Sequence, residues 1–232
     1  PSFQRTSSTR GGFGPVRAAA SSAAETRGPI PRFLHGPCVH LKSECTVTHM
    51  SRTLSTAEDR REAVLASAIA VFARSGYLGT PIAAVAADAD ISPAYVFKLF
   101  PGKESLFVAA LDRCFELIEA ALERGADAVG DATPDELLDA MGGAYAELIA
   151  DRSLLMLQVH AQSASDVPEI REALRRGLAR VTRYAATRTG AEPEAVQRFI
   201  AFGQLCHLIV TAGLEDVPDA WAATLTRGIR HP

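Results

Sequence analysis

Little in this sequence points to a membrane, a disulfide framework or a catalytic centre. The longest unbroken apolar stretches are six residues, such as Ala68 to Ala73, against the roughly 18 that span a bilayer, so no membrane partner is expected. The four cysteines, Cys38, Cys45, Cys114 and Cys206, lack the short regular spacings of a disulfide scaffold, and a reduced, cytoplasmic thiol set is expected. No alternating strand pattern competes with the helical ones. There is no nucleophile elbow, phosphate loop, paired metal-ligand helix or dinucleotide fingerprint, and acids near helix starts are explained by the helix dipole. An enzyme, a metal centre and a bound cofactor are therefore not expected.

What is present is enough apolar residue for a sizeable core: 47% hydrophobic and 22% charged over 232 residues, a globular composition longer than one minimal domain. The net charge of −3 hides an uneven spread. Residues 1–49 carry six Lys/Arg against two Asp/Glu, residues 50–107 carry six against six, and residues 108–232 carry twelve against nineteen. The first 49 residues are rich in Ser, Thr, Gly, Pro and Arg without apolar periodicity, and are expected to form a disordered tail. Met50 is the first methionine and directly precedes the first helical pattern, so residues 1–49 are read as sequence upstream of the true start. Inside that tail His35, Cys38, His40, Cys45 and His49 have zinc-like chemistry. Their spacing is wider than a zinc knuckle allows and no core surrounds them, so no metal site is expected.

From Ser55 onward the punctuation is helical. Ser55 to Glu58 has the form of a capping box, and Val64, Leu65, Ala68, Val71 and Phe72 recur at helical spacing up to Gly76. Thr80-Pro81 and Ser92-Pro93 each pair a capping residue with a proline suited to a helix start. They open two short helices, through Ile82, Val85 and Ala86 and through Ala94 to Phe100, around the turn Asp88-Ala89-Asp90-Ile91. Two short helices about one tight turn outline a helix-turn-helix, and on pattern alone they fit an ordinary three-helix bundle equally well.

The stretch Gly79-Thr80-Pro81-Ile82 to Ala86, followed by Ile91-Ser92-Pro93-Ala94-Tyr95-Val96-Phe97-Lys98-Leu99-Phe100-Pro101-Gly102-Lys103-Glu104-Ser105-Leu106-Phe107, closely resembles the signature of the tetracycline-repressor (TetR) family of bacterial regulators. A looser likeness extends through Asp166 to Arg171 and Gly190 to Glu194 to the Phe202-Gly203-Gln204 region. The resemblance implies an all-α fold of about nine helices, with a helix-turn-helix DNA-binding domain at 50–101 and a ligand-binding and dimerisation domain at 102–232. Matched to the family's motif, Val96 and Phe100 hold the recognition helix from behind, while Pro93, Ala94, Tyr95 and Lys98 face DNA. Ala94 suits a thymine methyl, and Lys98 a guanine edge or a phosphate. Thr80 and Ser92 are read as caps of helix starts that suit a phosphate oxygen, and Lys103 adds a cation at the next helix start. Two positions depart from the pattern. Asp90 stands where the family usually has Gly, and Asp tolerates a left-handed backbone better than most residues. Phe97 stands where Tyr is common, which removes a phosphate-binding hydroxyl. The module's zero net charge predicts a shallow salt dependence of binding.

Beyond Lys103, apolar positions from Leu106 to Leu122 predict a long helix, Thr133-Pro134-Asp135-Glu136 a capped start, and Leu154 to Ala164 a helix apolar on most faces. The Arg171, Arg175, Arg176, Arg180 and Arg183 face of the next helix is read as solvated surface. The last two helices, about 193–212 and 218–229, carry too much apolar surface for an edge. The resemblance implies that they pair with a second subunit, here through Phe199, Gly203, Leu208, Trp221 and Leu225. It further implies a homodimer on a near-palindromic double-stranded operator, a small-molecule effector that releases it, and repression as the outcome. Pocket candidates are Phe115, Tyr145, Met156, Gln158, His160, Phe202, Cys206 and His207, aromatics and polar groups on otherwise apolar helices. Each is also explained as ordinary packing, and a protein-binding module of the same fold, or an enzyme, are the alternatives.

Overall fold

The computed structural model describes residues 56–229. The tail at 1–49, its His/Cys set, Met50 and Ser55 lie outside the described residues. Within them the chain forms nine α-helices and one 3-10 turn, in keeping with the all-α expectation.

Helix α1, Ala57–Gly79, begins at Thr56, whose hydroxyl accepts the Asp59 N–H while the Asp59 carboxylate accepts the Thr56 N–H at 2.8 Å. The capping box therefore sits one residue beyond the expected Ser55–Glu58 pair. The helix breaks at Gly76, whose φ of 69° suits glycine, and a further short turn carries the chain to Gly79. Helices α2 (Ile82–Asp88) and α3 (Pro93–Leu99) follow. Between them Asp90 has a φ of 52°, the left-handed turn residue expected from the sequence.

Helix α4, Lys103–Val129, buries the predicted apolar series Leu106, Phe107, Ala110, Leu111, Cys114, Phe115, Ile118 and Leu122. Its Phe107 ring meets Phe72 of α1 edge-on at 4.9 Å. Helix α5, Pro134–Leu148, starts with the predicted box, the Thr133 hydroxyl and Glu136 carboxylate each accepting a backbone N–H. Helices α6 (Arg152–Ser163) and α7 (Pro168–Thr189) complete the inner packing. Gly177 of α7 lies directly under the Phe115 ring of α4, where a Cβ would overlap it. The arginine face of α7 is used internally: Arg176 pairs with Asp112 at 2.9 Å, Arg180 with Glu119 at 2.8 Å and Arg188 with Asp127 at 3.1 Å. These exposed pairs tie α7 to α4 and fit the reading of that face as surface.

Helix α8, Pro193–Ala212, matches its predicted bounds, whereas the last helix, α9, is shorter than expected, Ala220–Thr226, and follows a 3-10 turn at Leu214–Asp216. One hydrophobic cluster runs from α1 through α8. The expectation that nothing could span a membrane needs correction. Helix α8 has the length and mean hydropathy (1.3) to do so, because apolar residues separated by single polar ones escape a search for unbroken runs. Only Val196, Cys206, His207 and Ile209 of α8 are buried.

Candidate nucleic-acid interface and effector cavity

The recognition helix is set by its own residues. Ser92 caps α3 by accepting the Tyr95 N–H at 3.2 Å, and Pro93 occupies the first turn where its missing N–H costs nothing. Val96 is fully buried and Phe100 nearly so, at 0% and 3% exposure, which anchors one face of α3 on the core. Ser92, Pro93, Ala94 and Lys98 are consequently exposed, and Tyr95 is half-buried with its ring on the same side. Arg61 of α1 closes the far end, donating to the Leu99 carbonyl at 3.3 Å with its guanidinium over the Phe100 ring.

Tyr95 lies between two cations, Lys98 Nζ at 5.9 Å and the Arg60 guanidinium at 5.8 Å from its ring centroid. Arg60 is an exposed residue of α1 that reading the α2–α3 motif overlooked. The signal was the Arg60-Arg61 pair in the first turns of α1, ahead of its apolar stripe. Phe97 is 51% exposed rather than packed away, beside these groups on α3.

Two of the predicted contacts change role. Thr80 is only 1% exposed, and its hydroxyl is buried without a partner. It does not cap α2; the N-cap is Pro81, in extended backbone, with no side-chain hydrogen bond. A threonine sealed beneath the module cannot meet a phosphate, so the Thr80 assignment is withdrawn. Lys103 is half-buried, donates to the Leu78 carbonyl at 3.1 Å and lies over the Tyr77 ring at 4.9 Å. It fastens the start of α4 to the end of α1, and its charge is largely spent within the chain.

Between α4, α5, α7 and α8 lies a cavity of about 280 Å³. Of the pocket candidates, Phe115, Tyr145, Gln158, Phe202 and Cys206 are on its wall, joined by Leu138, Val181, Phe199 and Gly203. Met156 and His160 are not. Both stand two positions from Gln158 on α6, about 200° around the helix at 100° per residue, and so face elsewhere. Met156 packs with Ile149, Leu155 and Cys206. The His160 Nε2 lies 3.2 Å from the Ala73 carbonyl of α1, and its ring covers Gly76 at the kink. His207 is also off the wall but adjoins it, its Nε2 being 2.7 Å from the Tyr145 hydroxyl. Burial lowers the His207 pKa to about 4 and raises that of Tyr145. The Cys114 thiol is pushed up to about 12 by burial and donates to the Leu154 carbonyl, which makes it an inert packing group.

Of the residues assigned to a subunit interface, Leu208 and Trp221 are exposed at 52% and 51%. Leu225 is half-buried. Phe199 and Gly203 turn instead toward the cavity, and a Cβ on Gly203 would lie 3.8 Å from the Tyr145 ring of the same chain.

Residues 64–110 match the model of the bacterial regulatory proteins of the tetR family. The HTH-type transcriptional repressor KstR of Mycolicibacterium smegmatis is 38% identical over 85 residues, 37% of this chain and 41% of that protein. The chain thus spans about two fifths of the length of the curated relatives it matches. Among solved structures, a TetR-family regulator from Agrobacterium tumefaciens superposes with a TM-score of 0.58 at 18% identity, covering 75% of this chain and 95% of that one. The regulator FadR from Bacillus subtilis, solved in complex with stearoyl-CoA, gives 0.57 at 16%, covering 73% and 99%. At these identities the structural likeness speaks for the fold. Residues 64–110 thus match the tetR-family model within a chain whose fold is that of solved regulators of this kind.

Proposed function

We propose that the chain is a cytoplasmic, dimeric repressor that binds a near-palindromic operator and releases it when a small molecule occupies the cavity. One observation carries this reading: α3 is held from behind by Val96 and Phe100 and presents Pro93, Ala94, Tyr95 and Lys98 outward. An element pinned on one side with an unobstructed leading end is what major-groove reading requires. Ala94 meets a thymine methyl, Lys98 a guanine edge or phosphate, and Tyr95 a phosphate or base through its hydroxyl. Arg60 joins them as a phosphate contact from α1.

The second subunit is supported by the apolar residues that α8 and α9 leave outside, Phe202, Leu208 and Trp221. Buried against a second copy they supply the anchors of an interface, and pairing explains a helix apolar enough to enter a membrane on a chain built to meet DNA. Two-fold symmetry then sets the recognition helices about one DNA turn apart, roughly 34–36 Å, or a multiple of it. The cavity's apolar wall with a few polar groups supports effector binding.

Selection of bound sequences from random DNA tests the reading. Two inverted half-sites at one-turn or two-turn spacing are expected, and recovery of no common sequence overturns it. Sedimentation at micromolar concentration is expected to give a dimer, and Leu208→Glu with Trp221→Glu a folded monomer with weakened operator retention. A wild-type monomer that still retains the operator would refute the paired arrangement.

A further inference from the structure

The cavity carries more information than its presence. Its charged wall residues are Asp135, Asp139 and Arg198, all exposed, so one cation stands against two anions and all three lie toward solvent. The rest of the wall includes Phe115, Ile118, Leu122, Leu138, Val181 and Ile200, all apolar. An anionic ligand would have to shed its water there without a counter-charge, which is costly. A neutral ligand faces no such obstacle.

The best-ordered polar group on the wall is Tyr145. The Tyr145 hydroxyl lies 2.7 Å from His207 Nε2 and accepts from the Gln158 amide at 3.4 Å, while that amide also donates to the Leu154 carbonyl at 3.2 Å. His207 is 4% exposed, and its Nδ1 is buried with no partner. Burial keeps the imidazole neutral, so the pair holds two hydrogens, one phenolic and one on the ring, and shares a single hydrogen bond between them. One hydrogen is left over in either arrangement. If the phenol donates to Nε2, the ring hydrogen sits on Nδ1, a buried N–H without an acceptor, which folded proteins seldom tolerate. If Nε2–H donates to the phenolic oxygen, the phenolic hydrogen is the one left over, and Tyr145 stands on the cavity wall. The second arrangement leaves Nδ1 as an unpaired acceptor in place of an orphaned donor, the less costly of the two, and frees the phenolic hydrogen for a ligand in the cavity.

We infer that the effector is an uncharged, mainly apolar molecule with one hydrogen-bond-acceptor oxygen, which accepts from the Tyr145 hydroxyl held by His207 and Gln158. The inference rests on the reading of the cavity as the effector site. At about 280 Å³ the cavity lies at the small end of ligand pockets, which suits a molecule on the order of ten non-hydrogen atoms. A ketone or ester of that size fits the volume, the apolar inner wall and the Tyr145 donor. A carboxylate or a coenzyme A thioester brings negative charge to a wall where two carboxylates already outnumber one guanidinium.

The test uses the full chain and a matched series, nonanone, nonanoate and nonanoyl-coenzyme A, measured by displacement of a neutral fluorescent dye. Operator retention is recorded separately on the selected site. Nonanone is expected to displace the dye at least tenfold more effectively than nonanoate or the thioester. Equal or stronger displacement by either anion overturns the inference, even if that anion releases the operator, in which case the regulatory reading stands. No displacement by nonanone also overturns it. Displacement by nonanone without any operator release leaves the ligand class intact and removes effector control. Tyr145→Phe is expected to weaken nonanone about tenfold, the loss of one hydrogen bond, with the dye's affinity for the variant measured directly as the reference. Should that variant not fold, the wild-type ranking of ketone against carboxylate decides alone.

Discussion

The helix-turn-helix module and the helical body respond to different kinds of rule. In the module, each turn is dictated by residues next to it in sequence: Thr56 with Asp59, Ser92 with Pro93, Asp90 in its left-handed conformation. In the body, the candidate feature is a space between α4, α5, α7 and α8, whose wall residues are far apart in the chain. A surface built locally tolerates no substitution at its few outward positions, whereas a cavity built from many helices depends on the whole packing. The contrast says where each region should break.

The largest effect is expected where the two regions share a core. Phe72 of α1 is fully buried and meets Phe107 of α4 edge-on. Phe72→Ala removes a large side chain from a site that cannot close, at a cost of about 3–5 kcal/mol, read as a fall in unfolding free energy by denaturant titration. Because α4 runs from the module into the body, near-ultraviolet signal from both is expected to be lost together. Separate transitions for the two regions would break the picture of one continuous core.

Next is the module's surface. Tyr95→Ala with Lys98→Ala is expected to weaken operator binding by about 2–4 kcal/mol, roughly 30- to 1,000-fold. Both side chains are peripheral to the core, so thermal stability and sedimentation should be almost unchanged. An equal loss for non-operator DNA would reassign these residues from sequence reading to phosphate binding.

Much of the module was legible because the rules that shape it act over three or four residues. The buried pair Val96 and Phe100 and the left-handed Asp90 stand where the motif puts them. Thr80 misled because Thr-Pro satisfies two templates, a cap followed by proline at the first helical position and an extended residue followed by a proline cap. Only burial in the folded chain selects the second. In the body, the apolar stripes predicted α4 and α8 closely, yet a stripe states that a residue is inward without saying what it faces. His160 and Met156 shared an apolar helix with Gln158, and the 200° between them could have separated them. Arg60 was invisible for another reason: it reaches the site from a helix outside the motif.

The body is expected to answer to acid before the module does. His207 is held neutral by burial, its pKa lowered from 6.5 to about 4. A depressed base contributes its full share of stability above the unfolded pKa. That share is lost as the pH falls from about 6.5 toward 4, because the unfolded chain takes up a proton that the folded chain refuses. The loss amounts to about 2–3 kcal/mol for a group so buried. His207→Gln, whose amide can still meet Tyr145, should flatten the curve over that window. A wild-type stability independent of pH between 6.5 and 4 would mean that the imidazole reaches water.

The smallest effect belongs to the two capping boxes, and it compares the regions directly, since one box opens α1 and the other α5. Asp59 and Glu136 each have a pKa held below the usual carboxylate range, first by the backbone N–H of the capping threonine and then by its side chain. A lowered acid stabilises above its unfolded pKa, and that stabilisation disappears as the pH falls through the folded value. Both carboxylates are fully exposed, so the contribution is small and the two boxes should be equivalent chemically. They differ in what they begin. Fraying α1 loosens the helix that carries Arg60 and Arg61 behind α3, whereas fraying α5 touches only the rim of the body near Asp135. Asp59→Asn and Glu136→Gln are therefore expected to lower the melting temperature by similar small amounts at neutral pH and to match the wild type below the carboxylate range. Only Asp59→Asn is expected to reduce operator retention. Equal retention by the two variants would show that the support of α3 comes from the Val96 and Phe100 anchors alone, with the first turn of α1 contributing nothing.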